Sequence, residues 1–222
     1  MKKVEVSDDP GVIEARDKKL PRLKTVEAAR KAAKACRACP LWKHATQTVF
    51  GEGVEHASVM LVGEQPGDKE DLEGAPFVGP AGRILRQALG EAGVDMDDVY
   101  ITNAVKHFKF EPRGKRRLHK KPNTAEVRAC YPWLKREMEL VQPKLVVLMG
   151  ATAALSVLGK ATGVGRSRGR VMTTPEGLQA VVTVHPSSLL RIPDAADKEK
   201  AYRDFVKDFR FIKAQIRGGK AH

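Results

Sequence analysis

Ala57-Ser58-Val59-Met60-Leu61-Val62 runs directly into Gly63-Glu64-Gln65-Pro66-Gly67. An apolar run of this length, stopped by glycine and proline, reads as a strand buried on both faces with a turn at its carboxyl end. Three more apolar runs follow: Val99 to Val105, Leu145 to Met149 and Ala180 to Val184. Amphipathic stretches lie between them, around Ala81 to Ala92, Thr124 to Leu140 and Ala151 to Leu158, and a last helix is expected near Lys198 to Ile216. A helical pattern from about Thr25 places Val26, Ala29, Ala32 and Ala33 on one face and ends near Cys36. Thr124, with Glu126 in the first turn, reads as a capped helix start. Strands alternating with helices imply right-handed crossovers and an α/β fold, a parallel sheet covered on both faces.

The 222 residues, 42% hydrophobic, suffice for one sizeable domain. Its expected limits are 21–216, with a charged, Pro-interrupted arm at 1–20 and a short tail at 217–222. No run approaches the roughly eighteen apolar residues of a membrane span, and no apolar signal segment follows Met1, so the chain reads as soluble and cytosolic. Forty Lys plus Arg against 27 Asp plus Glu give a net charge of +13, which favours a polyanionic partner. Residues 105 to 121 hold eight basic side chains and one acid, Glu111, while residues 160 to 170 hold Lys160, Arg166, Arg168 and Arg170 with no acid. Either stretch alone reads equally well as a solvated loop. Two beside one rim point to phosphate contacts. Three cysteines without a signal segment argue against a disulfide framework and leave metal binding or burial.

Three motifs sit where predicted strands end: Gly63-Glu64-Gln65-Pro66-Gly67, Thr102-Asn103-Ala104-Val105-Lys106-His107 and Val184-His185-Pro186-Ser187-Ser188. The crevice outside the carboxyl ends of parallel strands is where ligands bind in such sheets. Gly79-Pro80-Ala81-Gly82 and Gly150-Ala151-Thr152 read as glycine-led helix starts, which offer free backbone amides.

These motifs, with Glu70-Asp71 and Pro76-Phe77-Val78-Gly79-Pro80-Ala81-Gly82, resemble the family 4 uracil-DNA glycosylases in order and spacing from about Lys24 to Ile212. The resemblance implies a three-layer αβα sandwich with a four-stranded parallel sheet. Three departures from that family stand out. Gln65 stands where family 4 usually carries Ala, His107 stands at the third cluster cysteine, and Gly114-Lys115-Arg116-Arg117-Leu118-His119 is an insertion. All three are similar to the UdgX branch, whose members bind uracil-containing DNA covalently through a histidine in this loop. Mapped by motif, that histidine is His119.

The implied chemistry breaks the N1–C1′ bond of deoxyuridine, leaving an oxocarbenium-like sugar and a uracil anion. Negative charge near the sugar suits Glu64, and a donor near the departing base suits His185. His119 would capture C1′ where a hydrolytic enzyme uses water. Asn103 has the groups to read uracil, accepting from N3–H and donating to O4. Phe77 offers a stacking face for a flipped base, and by resemblance Gln65 and Asp71 line the base and sugar pocket. Lys115, Arg116, Arg117, Arg168, Ser187 and Arg191 are candidate DNA contacts. By resemblance Cys36, Cys39, His107 and Cys130 would hold a [4Fe–4S] cluster of structural role, with imidazole replacing one thiolate as in Rieske centres. A zinc site of three thiolates and one imidazole uses the same residues and is the alternative.

The leading expectation is a monomeric, cytoplasmic, nucleoid-associated protein that acts on uracil-containing DNA, preferring single strands because less stacking must be broken. A conventional glycosylase that turns over, and a cluster-containing nucleic-acid-binding module without chemistry, are the alternatives.

Overall fold

The computed structural model of the chain describes residues 20–218, so the expected N-terminal arm lies, except for Leu20, outside the described residues. In chain order the elements are α1 (Val26–Ala33), β1 (Glu52–Gly53), β2 (Val59–Gly63), α2 (Asp68–Glu73), α3 (Pro80–Ala92), β3 (Val99–Asn103), β4 (Phe110–Arg113), β5 (Arg116–His119), α4 (Thr124–Val141), β6 (Leu145–Met149), α5 (Ala151–Leu158), α6 (Val164–Ser167), β7 (Val171–Thr173), β8 (Gln179–Thr183), α7 (Pro186–Leu190) and α8 (Ala195–Gly218). α8 therefore carries the helix past the boundary of 216 expected from sequence.

Alternation within the central strands decides the layering. Met60 and Val62 point to one face of the sheet, where Val26 and Ala29 of α1, Leu134 and Met138 of α4 and Val157 of α5 cover them. Val59 and Leu61 point to the other, against Leu85 and Leu89 of α3, Leu189 of α7 and Phe205 and Phe209 of α8. Each large side chain so buried contributes about 1.5–3 kcal/mol. A charge at Leu61, fully buried at 0% exposure, would break this layer.

The sheet has six strands in the order β1-β3-β2-β6-β8-β7. The four central strands are parallel, as the sequence indicates, with Val62 beside Thr102 and Leu148, and Leu148 in turn beside Val182. Two short edge strands extend this four-stranded parallel core, β1 and β7 pairing antiparallel to β3 and β8. Strands of two and three residues carry no periodicity, which is why they are silent in the sequence. From β2 the chain moves to β3 on one side and later returns to β6 on the other. That reversal makes a topological switch point, with its crevice outside the carboxyl ends of β2 and β6.

Two further corrections concern local chemistry. The cap of α4 is Asn123, whose side chain accepts from Glu126 N while Glu126 reaches back to Asn123 N, a capping box one residue before the expected Thr124. The inserted basic loop is a β-hairpin, with Phe110 opposite His119 and Arg113 opposite Arg116. Gly114, at φ 57°, takes the first position of its two-residue turn. No helix among the described residues is long and apolar enough to cross a membrane.

Candidate active site

Glu64 follows β2 and Thr152 opens α5, so the switch point brings them together, and Thr152 Oγ1 donates to Glu64 Oε2. The other carboxylate oxygen, Oε1, faces His119 Nε2 at 3.4 Å. His119 ends β5 and is 48% exposed, with its ring 6.1 Å from that of Phe108. Glu64, Gln65, His119, His185, Ser187 and Arg191 share the wall of one open cleft of about 800 Å³. A recess of about 110 Å³ continues from it, lined by Phe77 and Asn103 together with Gln65, His119, His185 and Ser187.

The recess depends on close backbone approach. A Cβ on Gly63 would lie 2.4 Å from Asn103 Oδ1 and 2.6 Å from Phe77 Cζ, so only glycine lets these two side chains meet. Asn103 is buried, and its Oδ1 has no hydrogen-bond partner. Buried acceptors are rarely left without a partner, and this one belongs to a residue that lines the recess. Phe77 holds a left-handed φ of 57°, rare for a residue with a side chain. Arg86 Nη1 fixes its carbonyl at 2.8 Å, and its ring lies 5.8 Å from the ring of His185. Strain of this kind collects at functional sites.

His185 caps α7, and its Nδ1 accepts from Ser187 N at 3.2 Å. That bond assigns the remaining proton to Nε2. Desolvation pushes the ring down to about 4, with the neighbouring His119 ring and the Arg191 guanidinium acting in the same direction. At neutral pH His185 is a neutral Nε2–H donor.

The hairpin carrying His119 is fastened in three ways. Gln65 Nε2 donates to Lys109 O at 3.1 Å and Lys120 O at 3.0 Å, and Gln65 Oε1 accepts from Lys109 N at 3.1 Å. Arg117 reaches Asp68 through Nε and Asp71 through Nη1, both at 2.6 Å. Its guanidinium also lies 5.4 and 5.1 Å from the rings of Phe108 and Phe110, which stack on each other.

The structure thus brings Glu64, Gln65, Phe77, Asn103, His119, His185, Ser187 and Arg191 to one site. Asp71 is different. It is fully buried, accepts from Thr46 N through both oxygens at 3.0 Å and binds Arg117, so it holds the hairpin and does not line the recess. Arg117 is spent on that clamp, and Arg168 is paired with Asp208 at 2.7 Å. Of the expected DNA contacts, Lys115 and Arg116 at the hairpin tip and Arg191 at the rim are exposed. Thr152 as the partner of Glu64 was missed, because a threonine at a helix start gives no sign of which distant carboxylate it meets.

Burial pushes the Cys130 thiol up to about 12, with Cys39 and Cys36 close enough to oppose its ionisation further. Cys130 Sγ accepts from Lys106 N at 3.2 Å. His107 is buried, with Nε2 3.0 Å from Thr48 Oγ1, and burial holds its ring below the usual histidine range. Among the described residues no three His, Cys, Asp or Glu side chains converge closely enough to hold a metal ion.

A sequence model of the uracil DNA glycosylase superfamily matches residues 50–210. The type-4 uracil-DNA glycosylase of Thermotoga maritima is 36% identical over 195 residues, covering 87% of this chain and 98% of that protein. The type-4 enzyme of Pyrobaculum aerophilum is 38% identical over 167 residues, covering 72% and 82%. The type-5 uracil-DNA glycosylase of the same organism is 31% identical over 178 residues, covering 72% and 74%.

Proposed function

The chain belongs to the uracil-DNA glycosylase superfamily, with type-4 relatives, and from that premise we propose that it excises uracil from DNA and keeps the sugar, bonded through C1′ to His119. The observation that carries the second step is His119 Nε2 at 3.4 Å from Glu64 Oε1, on a hairpin clamped over the cleft. The flipped base enters the recess against Phe77, and Asn103 Oδ1 accepts from uracil N3–H. The N1–C1′ bond breaks with its electron pair passing to the base, whose O2 takes a hydrogen bond from His185 Nε2–H. Glu64, with one oxygen held by Thr152, sets its negative charge beside the developing oxocarbenium.

His119 then supplies the ring lone pair facing C1′. The new imidazolium loses the proton on its other nitrogen to water, leaving a neutral N-glycosyl imidazole that departs poorly. One protein molecule handles one lesion. Lys115, Arg116 and Arg191 are exposed and can meet phosphates. Single-stranded DNA is the preferred partner because its bases are already unstacked.

Cys36, Cys39, His107 and Cys130 would hold a [4Fe–4S] cluster. The fit rests on the chemistry of the donor set, three thiols and one imidazole, and on a main-chain N–H directed at the Cys130 sulfur. When bound, the cluster supplies a cross-link between the segment after α1, the start of the hairpin segment and α4.

A conventional turnover glycosylase is the second reading, favoured by relatives named as type-4 enzymes. Labelled uracil-containing single-stranded DNA, boiled in detergent with the protein and run on a denaturing gel, separates the two. A uracil-dependent band that survives boiling and is lost in His119→Ala supports the trap. Free abasic DNA from both proteins supports turnover.

A further inference from the structure

Lys106 and Glu137 are buried at 1% and 0% side-chain exposure, and neither lines the cleft. The Lys106 ammonium uses all three of its protons: on Glu137 Oε2, on Thr102 Oγ1 at 2.6 Å and on the main-chain carbonyl of Asn103 at 2.8 Å. Glu137 Oε1 in turn accepts from Gly51 N at 2.9 Å, Tyr100 OH at 3.0 Å and Thr102 Oγ1 at 2.9 Å. A buried pair of this kind earns little net stability, because desolvation offsets most of the attraction. Its conformational effect is more specific. Every donor of the ammonium is aimed, and one is aimed at the residue whose side chain enters the recess.

We propose that Lys106, held by Glu137, is a positioning residue for excision: by fixing the Asn103 carbonyl it sets the direction of the Asn103 side chain against the base. Asn103 ends β3, and beyond it Ala104 N and Val105 N bond Gly63 O and Glu64 O, each at 3.0 Å. The carbonyl of Asn103 accepts from the ammonium, and its carbon is one of the three backbone atoms that set the Cα–Cβ direction. The Lys106 N–H meets Cys130 Sγ, so the same residue joins the cysteine region to the base recess. Misplacing a reacting or recognising group by about 1 Å costs on the order of 100-fold in rate.

This inference rests on the role given above to Asn103, and Asn103→Ala is therefore measured beside it. The test is single-turnover base release from single-stranded DNA carrying deoxyuridine or 5-fluorodeoxyuridine, at saturating full-length protein. Lys106→Met with Glu137→Gln removes both charges together and leaves no unpaired ion. In this double variant uracil release is expected to fall about 10- to 100-fold, with DNA affinity unchanged. Release of 5-fluorouracil should fall several-fold less, because its more acidic anion needs less stabilisation from Asn103. Asn103→Ala should give the same pattern.

Lys106→Gln in the Glu137→Gln background returns a donor to the carbonyl and should recover part of the rate, although it lacks the ion pair equally. Equal slowing of both bases, or no recovery on Lys106→Gln at matched melting temperature, assigns Lys106 a purely structural role and overturns the proposal. If Asn103→Ala slows release and the Lys106 variants do not, the proposal fails while the reading of Asn103 stands. If Asn103→Ala changes nothing, both fail.

Discussion

Gln65→Ala should loosen the hairpin while leaving the core intact. The side chain makes three hydrogen bonds to hairpin backbone, to Lys109 O, Lys120 O and Lys109 N. Each contributes about 0.5–1.5 kcal/mol net. Lys120 is exposed and Lys109 half-buried, so water takes up part of the loss. A local cost of about 2 kcal/mol follows, and at about 1.4 kcal/mol per factor of ten the hairpin opens roughly 30-fold more often. Native-state hydrogen exchange reads this directly at the Lys120 amide, which bonds Lys109 O at 3.0 Å across the hairpin base. Core amides of β6 should be unchanged. In the same variant DNA capture should slow more than uracil release, because His119 rides on the hairpin whereas Glu64 and His185 sit on the body of the sheet. Unchanged protection at Lys120 together with lost capture would refute the reasoning and make Gln65 a direct substrate contact.

Arg117→Ala leaves the buried Asp71 carboxylate with Thr46 N as its one hydrogen-bond donor among the described residues. Since Arg117 is itself 22% exposed, the cost should be about 2–3 kcal/mol, below the ~3–5 of a pair buried on both sides. Thermal melting should fall by roughly 4–12 °C. The depressed His185 ring predicts an acid limb for excision near pH 4, activity being lost as the pH falls because the added proton goes to Nδ1 and breaks the bond from Ser187 N that orients the ring. Stability shares the sign: the unfolded ring takes up its proton near 6.5, so the contribution of the buried neutral ring is complete above that pH and is lost as pH falls through about 4. A limb centred near 6.5 in a pH–rate profile would contradict this. Purified protein should contain iron and acid-labile sulfide, both lost in Cys130→Ser. Zinc without sulfide, in protein that still reacts with uracil-containing DNA, would overturn the cluster while leaving the reaction.

The central strands were legible because burial on both faces demands unbroken apolar runs, and Val59–Gly63 and Leu145–Met149 emerge close to where they are expected. The rim residues were legible for the same reason, since each follows such a run. What the sequence hid was pairing across the chain. The turn at Gly114-Lys115 makes the insertion a hairpin, but four-residue strands dense in charge read as loop. Arg117 and Arg168 look like phosphate contacts in a basic stretch, and their carboxylate partners lie 46 and 40 residues away. Asp71 resembles a pocket residue by position, yet its carboxylate turns into the protein toward Thr46. Nothing in the order of residues signals that Glu137, in the middle of α4, gathers Gly51, Tyr100, Thr102 and Lys106 around one buried carboxylate.

Covalent capture by His119 is tested most directly by digesting the boiled protein–DNA product with nuclease and protease and sequencing the modified peptide by mass spectrometry. The peptide that spans His119 should carry a base-free deoxyribose phosphate on the imidazole, with uracil released in equal amount. An unmodified His119 peptide beside abasic DNA, or the sugar bonded to another residue, would contradict the trap.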